Sequence, residues 1–214
     1  SNPTPESVII APTHRSYYDF LIVSYVCFVL PELGIDIPHV AAASEFSDLP
    51  LLGWIAAGMN AFFLKRGGKK RDPSLKQKLA TIFNKKRKPS FVEVFIEGKR
   101  SRSRSFVEPK TGFLRCVTEL GGNHLVLPIT INYEALPDQN NLVNEMIGNR
   151  HESMSISKLF SWMHRVLCGR VKIGRVYVSA SDALEMLPPT KIGEIGQTIL
   201  SKQQERILVS DYHV

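Results

Sequence analysis

The segment Ser7–Leu30 reads SVIIAPTHRSYYDFLIVSYVCFVL, and its pattern decides the fold class. Ser7–Ala11 is a short β-branched run that predicts a buried strand, which ends at Pro12 and Thr13. The nearly continuous apolar residues of Tyr17–Leu30 predict a helix that is buried in the core. A strand that leads through a short loop into a helix is the unit from which α/β sheets are built.

Strands and helices go on alternating along the rest of the chain. Further strands are predicted at Pro38–Ala43, Ala61–Leu64, Phe91–Ile96, Leu125–Tyr133 and Val171–Ala180. Further helices are predicted at Leu51–Gly58, Pro73–Asn84, Thr111–Leu120, Asn140–Arg150, Ser157–Leu167 and Lys191–Leu208. We therefore expect an α/β fold with a mixed, mostly parallel central sheet flanked by helices on both faces. Without a repeat or a linker, residues 1–214 are expected to form a single domain, excised from a longer membrane-associated protein.

The charge of the chain points to anionic partners. Lys and Arg number 27 against 20 Asp and Glu, a formal net charge of +7. The excess lies in three runs, at residues 65–71, 85–88 and 99–104. Such a chain is suited to phosphate ligands, nucleic acid or an anionic membrane face, although a solvated surface is the simpler interpretation of the run at 85–88.

Hydrophobicity and cysteine usage exclude two further classes of protein. The longest apolar run, Phe20–Pro31, is shorter than the roughly 20 residues of a transmembrane helix. Cys27, Cys116 and Cys168 are an odd number without metal-ligand spacing. They are interpreted as buried, reduced thiols of a cytosolic-type compartment rather than as a disulfide framework.

His14 and Asp19 form the first candidate catalytic group. His14 directly follows a predicted strand, and Asp19 falls in the first turn of the next helix. A carboxylate there can turn back onto the imidazole, fix its tautomer and stabilise the imidazolium that forms when His14 takes a proton. The spacing alone is a weak signal, because a capping aspartate beside an unrelated histidine would give the same pattern.

A second polar block follows the strand predicted at Phe91–Ile96 and reads Glu97-Gly98-Lys99-Arg100-Ser101-Arg102-Ser103. Gly98 permits a turn that most residues resist. Arg100 and Arg102 supply forked donors that suit phosphate oxygens. The position at a strand end favours a binding loop over the alternatives, a solvated basic loop or an Arg/Ser segment that binds RNA.

Two further blocks accompany strands. Phe62–Arg66 ends in Lys65 and Arg66, so a strand delivers two cations at its carboxyl end. Val126–Ile129 is an apolar strand interrupted by Pro128, which by itself indicates no more than core packing.

In this order and spacing, the four blocks resemble the motifs of the glycerolipid acyltransferase family. His14-x-x-x-x-Asp19 resembles the first motif, Phe62–Arg66 the second, Phe95–Ser101 the third and Val126–Ile129 the fourth. The extension Arg100–Ser103 and the stretch Pro109–Gly112 look like the branch that acylates glycerol-3-phosphate or dihydroxyacetone phosphate. Lys99 stands where many members have Thr or Gly, which leaves the acceptor open.

The resemblance implies a reaction and a set of roles. His14 would act as general base and Asp19 would orient it, while acyl-CoA or acyl carrier protein donates an acyl group to the hydroxyl of glycerol-3-phosphate. Lys65, Arg66, Arg100 and Arg102 would hold the acceptor phosphate; Glu97, Gly98 and Ser101 would shape the loop or touch the glycerol hydroxyls. Backbone amides near His14 or Gly98 are candidate oxyanion donors. No metal and no cofactor is expected.

Other functions remain open at this point. The acceptor is alternatively dihydroxyacetone phosphate or a lysophospholipid, and a catalytically silent lipid- or nucleic-acid-binding module is a further alternative. No nucleic-acid partner is expected, because the aromatic residues do not interleave with the cations as a base-stacking surface requires. Because the product is a lipid, we expect a peripheral or anchored position on a membrane, with the active site on the cytoplasmic or other reducing side. The apolar face of Ser157–Leu167 is a candidate for that contact.

Overall fold

The computed structural model describes residues 4–16, 18–44, 58, 60–64, 73–84, 89–101, 103, 105–137, 139–147, 161, 164–165, 168–170, 174–186 and 191–209. In these ranges the strands are β1 (Ser7–Pro12), β2 (His39–Ala43), β3 (Phe62–Leu64), β4 (Ser90–Glu93), β5 (His124–Tyr133), β6 (Val176–Ala180) and β7 (Leu184–Glu185). The main helices are α1 (Asp19–Val29), α2 (Pro73–Phe83), α3 (Gly112–Leu120), α4 (Gln139–Met146) and α5 (Ile192–Gln204). A 3₁₀ turn, Pro31–Leu33, follows α1.

The strands form one sheet in the order β3-β2-β4-β1-β5-β6, with β7 also paired to β5. Strands β1 to β5 pair in parallel, whereas β6 and β7 run antiparallel to β5. The central strand β1 pairs with β4 on one side and β5 on the other, so the loops after β1 and β4 leave the same edge of the sheet. The prediction of a mixed, mostly parallel sheet is confirmed.

Helices cover both faces of the sheet, as the sequence predicts. One apolar cluster joins the sheet to α2, α3 and α5, around Ile9, Leu79 and Leu114. The other joins it to α1 and α4, around Ile10 and Val23. Successive residues of a strand point to opposite faces, which is why Ile9 and Ile10 belong to different clusters. Burial on both faces explains why these strands read as continuous hydrophobic runs.

Several boundaries differ from the sequence prediction. The fourth strand ends at Glu93 rather than Ile96, because the chain turns there: the Gly98 amide donates to the Phe95 carbonyl at 3.0 Å, and Gly98 has φ +68°. The short strand β7 is an addition that the sequence did not indicate. The helix expected at Leu51–Gly58 and the one expected at Ser157–Leu167 lie largely outside the described residues.

The expectation of a helix buried in the core holds for only one side of α1. One side of α1 packs on the sheet, but Leu21, Tyr25, Phe28 and Val29 are exposed, Phe28 by 69%. Because the helix is apolar on both sides, the sequence pattern could not distinguish a buried helix from one with an uncovered apolar side. Among the described helices, none has the length and hydrophobicity needed to cross a bilayer. The expectation of three buried thiols is also wrong, since Cys168 is exposed.

Candidate active site

The loops that follow β1 and β4 meet at the carboxyl edge of the sheet. The loop after β1 carries His14, and the loop after β4 carries Glu97 to Ser101. Two hydrogen bonds from backbone amides join the two loops. The His14 amide donates to Glu97 Oε1 at 2.9 Å, and the Ser101 amide donates to the His14 carbonyl at 3.3 Å. The adjacency of two parallel strands therefore brings together segments that are about eighty residues apart in the sequence.

His14 and Asp19 are in contact, as the sequence spacing suggested. Nδ1 of His14 lies 3.0 Å from Oδ2 of Asp19. The His14 ring stacks on Phe95 with centroids 4.3 Å apart, and its side chain is 14% exposed. Within the described residues, no group hydrogen-bonds to Nε2. With Nδ1 donating to Asp19, Nε2 carries the lone pair and is the ring nitrogen that can act as a base.

Asp19 is held in a fixed orientation at the first turn of α1. Its carboxylate is fully buried, and Oδ2 also accepts from the amides of Arg15 at 2.7 Å and Ser16 at 2.8 Å. The Tyr133 hydroxyl donates to Oδ1 at 2.5 Å. Four donors thus compensate the burial of this carboxylate, and their geometry presents Oδ2 to His14.

Glu97 and Arg15 tie the two loops together beneath the surface. Nη1 of Arg15 donates to both carboxylate oxygens of Glu97, at 3.1 and 3.0 Å, and the guanidinium lies 4.5 Å from the centre of the Phe106 ring. The Val107 amide donates to Glu97 Oε2 at 3.1 Å, in addition to the His14 amide on Oε1. With Glu97 0% exposed, the geometry favours the loop-shaping role over contact with an acceptor.

The other residues expected to bind the acceptor are placed differently. Gly98 forms the turn, and a Cβ there would lie 3.0 Å from Lys110 Cγ. Ser101 is buried, and Arg100 is half-buried near it. The remaining three predicted phosphate ligands, Lys65, Arg66 and Arg102, lie outside the described residues.

Backbone amides near His14 are largely engaged in holding the loops. The amides of His14, Arg15, Ser16, Gly98 and Ser101 donate to groups within the protein. Amides near His14 or Gly98 were the candidate oxyanion donors predicted from the sequence. These five amides are already engaged and are therefore not free for that role. Over the described ranges, no three His, Cys, Asp or Glu side chains converge as metal ligands do.

A second carboxyl group, Glu93, lies behind the pair. It is 0% exposed, and neither of its oxygens has a hydrogen-bond partner. Burial, and secondly the charge of Asp19, raise the pKa of Glu93 well above its ordinary value of 4.5. Burial and the Glu93 charge likewise raise the pKa of the Cys27 thiol to about 11. Burial thus favours the protonated form of Glu93, and Asp19 is the carboxylate that contacts His14.

Glu93 should make the stability of the protein fall as the pH rises. Its pKa is higher in the folded than in the unfolded chain, so its stabilising effect is complete below pH 4.5 and is lost as the pH rises towards the folded-state pKa. One such group contributes a slope of up to about 1.4 kcal/mol per pH unit. We expect Glu93→Gln to remove this slope, as measured by thermal unfolding from pH 5 to 8.

The control for that experiment is Glu185→Gln on the exposed part of β7. Its pH dependence of unfolding should match that of the unmodified protein. Equal slopes in the unmodified protein and the Glu93→Gln variant would show that Glu93 is ionised in the folded state.

Comparison with known proteins agrees with this geometry. Residues 2–132 match the family model described as Acyltransferase. The chain belongs to the acyltransferase family. It is similar to the glycerol-3-phosphate acyltransferases of Pseudomonas putida (strain W619) and Pseudomonas entomophila (strain L48), with 29% identity over 188 residues in each case. These matches cover 84% of this chain but 21% of each relative, so the chain spans about a fifth of their length.

A solved acyltransferase shares the fold. The 1-acyl-sn-glycerophosphate (LPA) acyltransferase PlsC from Thermotoga maritima superposes with a TM-score of 0.54 and 15% sequence identity. The match covers 97% of this chain and 70% of that chain. The resemblance of the four sequence blocks to glycerolipid acyltransferases is thereby confirmed at the level of the family and the fold.

Sequence reasoning missed two residues of the site. Arg15 lies between His14 and Asp19 in the first motif, but the sequence assigned it no role. Its partner Glu97 is distant in the sequence. Tyr133 is the last residue of the strand predicted at Leu125–Tyr133, yet nothing in a strand-end tyrosine predicts a bond to Asp19. Both contacts depend on which strands lie beside β1, and a single sequence does not contain that information.

Proposed function

We propose that this protein transfers an acyl group from acyl-CoA or acyl carrier protein to the hydroxyl of glycerol-3-phosphate. The observation that carries the proposal is the buried, four-donor carboxylate of Asp19 in contact with Nδ1 of His14, at the edge of an acyltransferase-family sheet. The similarity of this chain to glycerol-3-phosphate acyltransferases supports this choice of acceptor.

The chemistry follows from the open Nε2 atom of His14. Nε2 removes the proton of the acceptor hydroxyl while the oxygen of that hydroxyl attacks the thioester carbonyl carbon. Asp19 stabilises the imidazolium that forms. A carbon–oxygen bond forms, the carbon–sulfur bond breaks, and the proton on His14 passes to the leaving thiolate. The acceptor is itself the nucleophile, so neither a covalent enzyme intermediate nor a cofactor takes part in this reaction.

Arg100 is proposed to bind the acceptor phosphate. It is half-buried in the loop that the Ser101–His14 hydrogen bond holds beside the catalytic pair. A charged hydrogen bond is worth about 1.5–3 kcal/mol. We expect Arg100→Ala to raise the KM for the acceptor by roughly 10- to 100-fold, with a much smaller effect on the KM for acyl-CoA, as measured by initial rates of CoA release.

The matched control for Arg100 is its neighbour Lys99, which is exposed. Lys99→Ala should leave the acceptor KM within about twofold, since an exposed cation is screened by solvent. An effect of Arg100→Ala confined to the acyl donor would place Arg100 outside the phosphate site.

A panel of acceptors tests the proposed function directly. CoA release from one acyl-CoA is measured with glycerol-3-phosphate, dihydroxyacetone phosphate and a lysophosphatidate. We expect the highest kcat/KM with glycerol-3-phosphate. A preference for the lysophosphatidate would mean that the proposed acceptor is wrong and the proposed acyl transfer is right. No CoA release with any acceptor would favour a catalytically silent lipid-binding module.

The position on a membrane is part of the proposal, because the product carries an acyl chain. The exposed apolar side of α1 supports it, since such surfaces mark contacts with lipid or with another protein. Peripheral or anchored attachment, with the active site on the cytoplasmic or other reducing side, fits the buried thiols of Cys27 and Cys116. Co-sedimentation with phospholipid vesicles measures the attachment.

A further inference from the structure

Tyr133 approaches the catalytic pair from the strand on the far side of β1. It is the last residue of β5 and is 7% exposed. Its hydroxyl donates to Oδ1 of Asp19 at 2.5 Å. Tyr133 and His14 contact different oxygens of Asp19, because His14 Nδ1 lies beside Oδ2.

The two oxygens of Asp19 are therefore held by different groups. Oδ2 accepts from the Arg15 amide, the Ser16 amide and His14. Tyr133 supplies the hydrogen-bond donor for Oδ1. Among the contacts that the structure shows, this buried, charged oxygen would otherwise lack a donor. A donor on Oδ1, in addition to those on Oδ2, restricts rotation of the carboxylate about its Cβ–Cγ bond and so fixes its plane. The Tyr133 hydroxyl also withdraws part of the negative charge that His14 would otherwise face.

We infer that Tyr133 is a positioning residue of the reaction, which fixes the orientation and charge of Asp19 through its hydroxyl. This inference rests on the proposed function. A purely structural role is the alternative, because Tyr133 also belongs to the apolar cluster under α1. Phenylalanine retains the ring and its packing, so removing the hydroxyl alone separates the effect on Asp19 from the packing of the ring.

Tyr133→Phe is expected to lower kcat by about tenfold and to change the acceptor KM less than about threefold, because an Asp19 carboxylate that can rotate orients His14 less well. The acid limb of the pH–kcat profile should move to higher pH by about half a unit. Without the hydroxyl, more charge on Asp19 stabilises the imidazolium, so a higher pH is needed to free the base. The other titratable or charged groups around the pair, Glu93 and the Arg15–Glu97 pair, are unchanged by the substitution.

Tyr177→Phe is the matched control. The Tyr177 hydroxyl donates to a carboxylate as well, Oε1 of Glu134 at 3.0 Å, on the neighbouring strand β6. Its removal should leave kcat and the pH profile within experimental error. An unchanged kcat and profile in Tyr133→Phe, or a change in KM alone, would overturn the inference.

A double-mutant comparison separates an effect through Asp19 from general destabilisation. In an Asp19→Ala background, which leaves no side-chain oxygen for the Tyr133 hydroxyl, Tyr133→Phe should change the residual kcat by less than about twofold, because its route of action is already removed. A tenfold loss in both backgrounds would overturn the inference. If the unmodified protein releases no CoA with any acceptor of the panel, the proposed function fails; if it does, and His14→Ala is inactive while Tyr133→Phe behaves as the unmodified protein, only the inference fails.

Discussion

His14→Ala is expected to lower kcat by about 10²–10⁴, the range that a positioned general base contributes. The acceptor hydroxyl is a poor nucleophile until its proton is removed, and Nε2 of His14 is the base that the structure leaves open. Binding of glycerol-3-phosphate, measured by calorimetry, should change less than about threefold, because the proposed phosphate ligand is Arg100 and not His14. Turnover is measured as CoA release under saturating substrates.

The fold should survive this substitution. Asp19 keeps three of its four donors, the amides of Arg15 and Ser16 and the Tyr133 hydroxyl. The thermal midpoint should therefore fall by only a few degrees. His164→Ala, which removes an exposed imidazole beside Cys168, is the control and should keep full turnover. Near-normal kcat in His14→Ala would exclude His14 as the base.

Glu97→Ala is expected to cost about 3–5 kcal/mol of unfolding free energy, the largest stability effect that the site offers. The substitution leaves the Arg15 guanidinium, whose side chain is 10% exposed, without its carboxylate. It also removes the acceptor of the His14 and Val107 amides. At about 2–4 °C per kcal/mol for a chain of this size, the thermal midpoint should drop by roughly 6–20 °C.

The same substitution should reduce activity at temperatures where the variant is folded, because the loop that carries His14 loses its anchor. Glu108→Ala is the matched control: its carboxylate lies in the same segment and is exposed, and it accepts from Gln197 at 2.6 Å. Its midpoint should shift by no more than about 2 °C, as exposed pairs contribute little. An equally small shift for Glu97→Ala would mean that Arg15 and Glu97 do not stabilise the two loops.

The parts of the fold that follow from local pattern were predictable. Hydrophobic runs and turn residues predict β1, β5 and α3 within a few residues, and the alternation of strands with helices predicts the layers. The His14–Asp19 contact was also predictable, because the two residues are five positions apart in the loop that leads from β1 into the first turn of α1. Both predictions use neighbours in the sequence and need no knowledge of the topology.

Contacts across the sheet were not predictable from one sequence. The pairs Arg15–Glu97 and Asp19–Tyr133 exist because β4 and β5 flank β1, an order that hydrophobic pattern does not encode. Glu93 shows the same limit. In FVEVFI, alternation suggests a face towards solvent for a glutamate, but α1 covers that face and buries the carboxyl group.

The central claim is direct acyl transfer to an acceptor hydroxyl that His14 deprotonates. Rapid-quench measurement of CoA release from acyl-CoA tests it most directly, with the enzyme at known concentration and glycerol-3-phosphate either present or absent. We predict release only when the acceptor is present, without an initial burst, and its loss in His14→Ala. A burst of one equivalent of CoA per enzyme in the absence of acceptor would reveal an acyl-enzyme and contradict the mechanism.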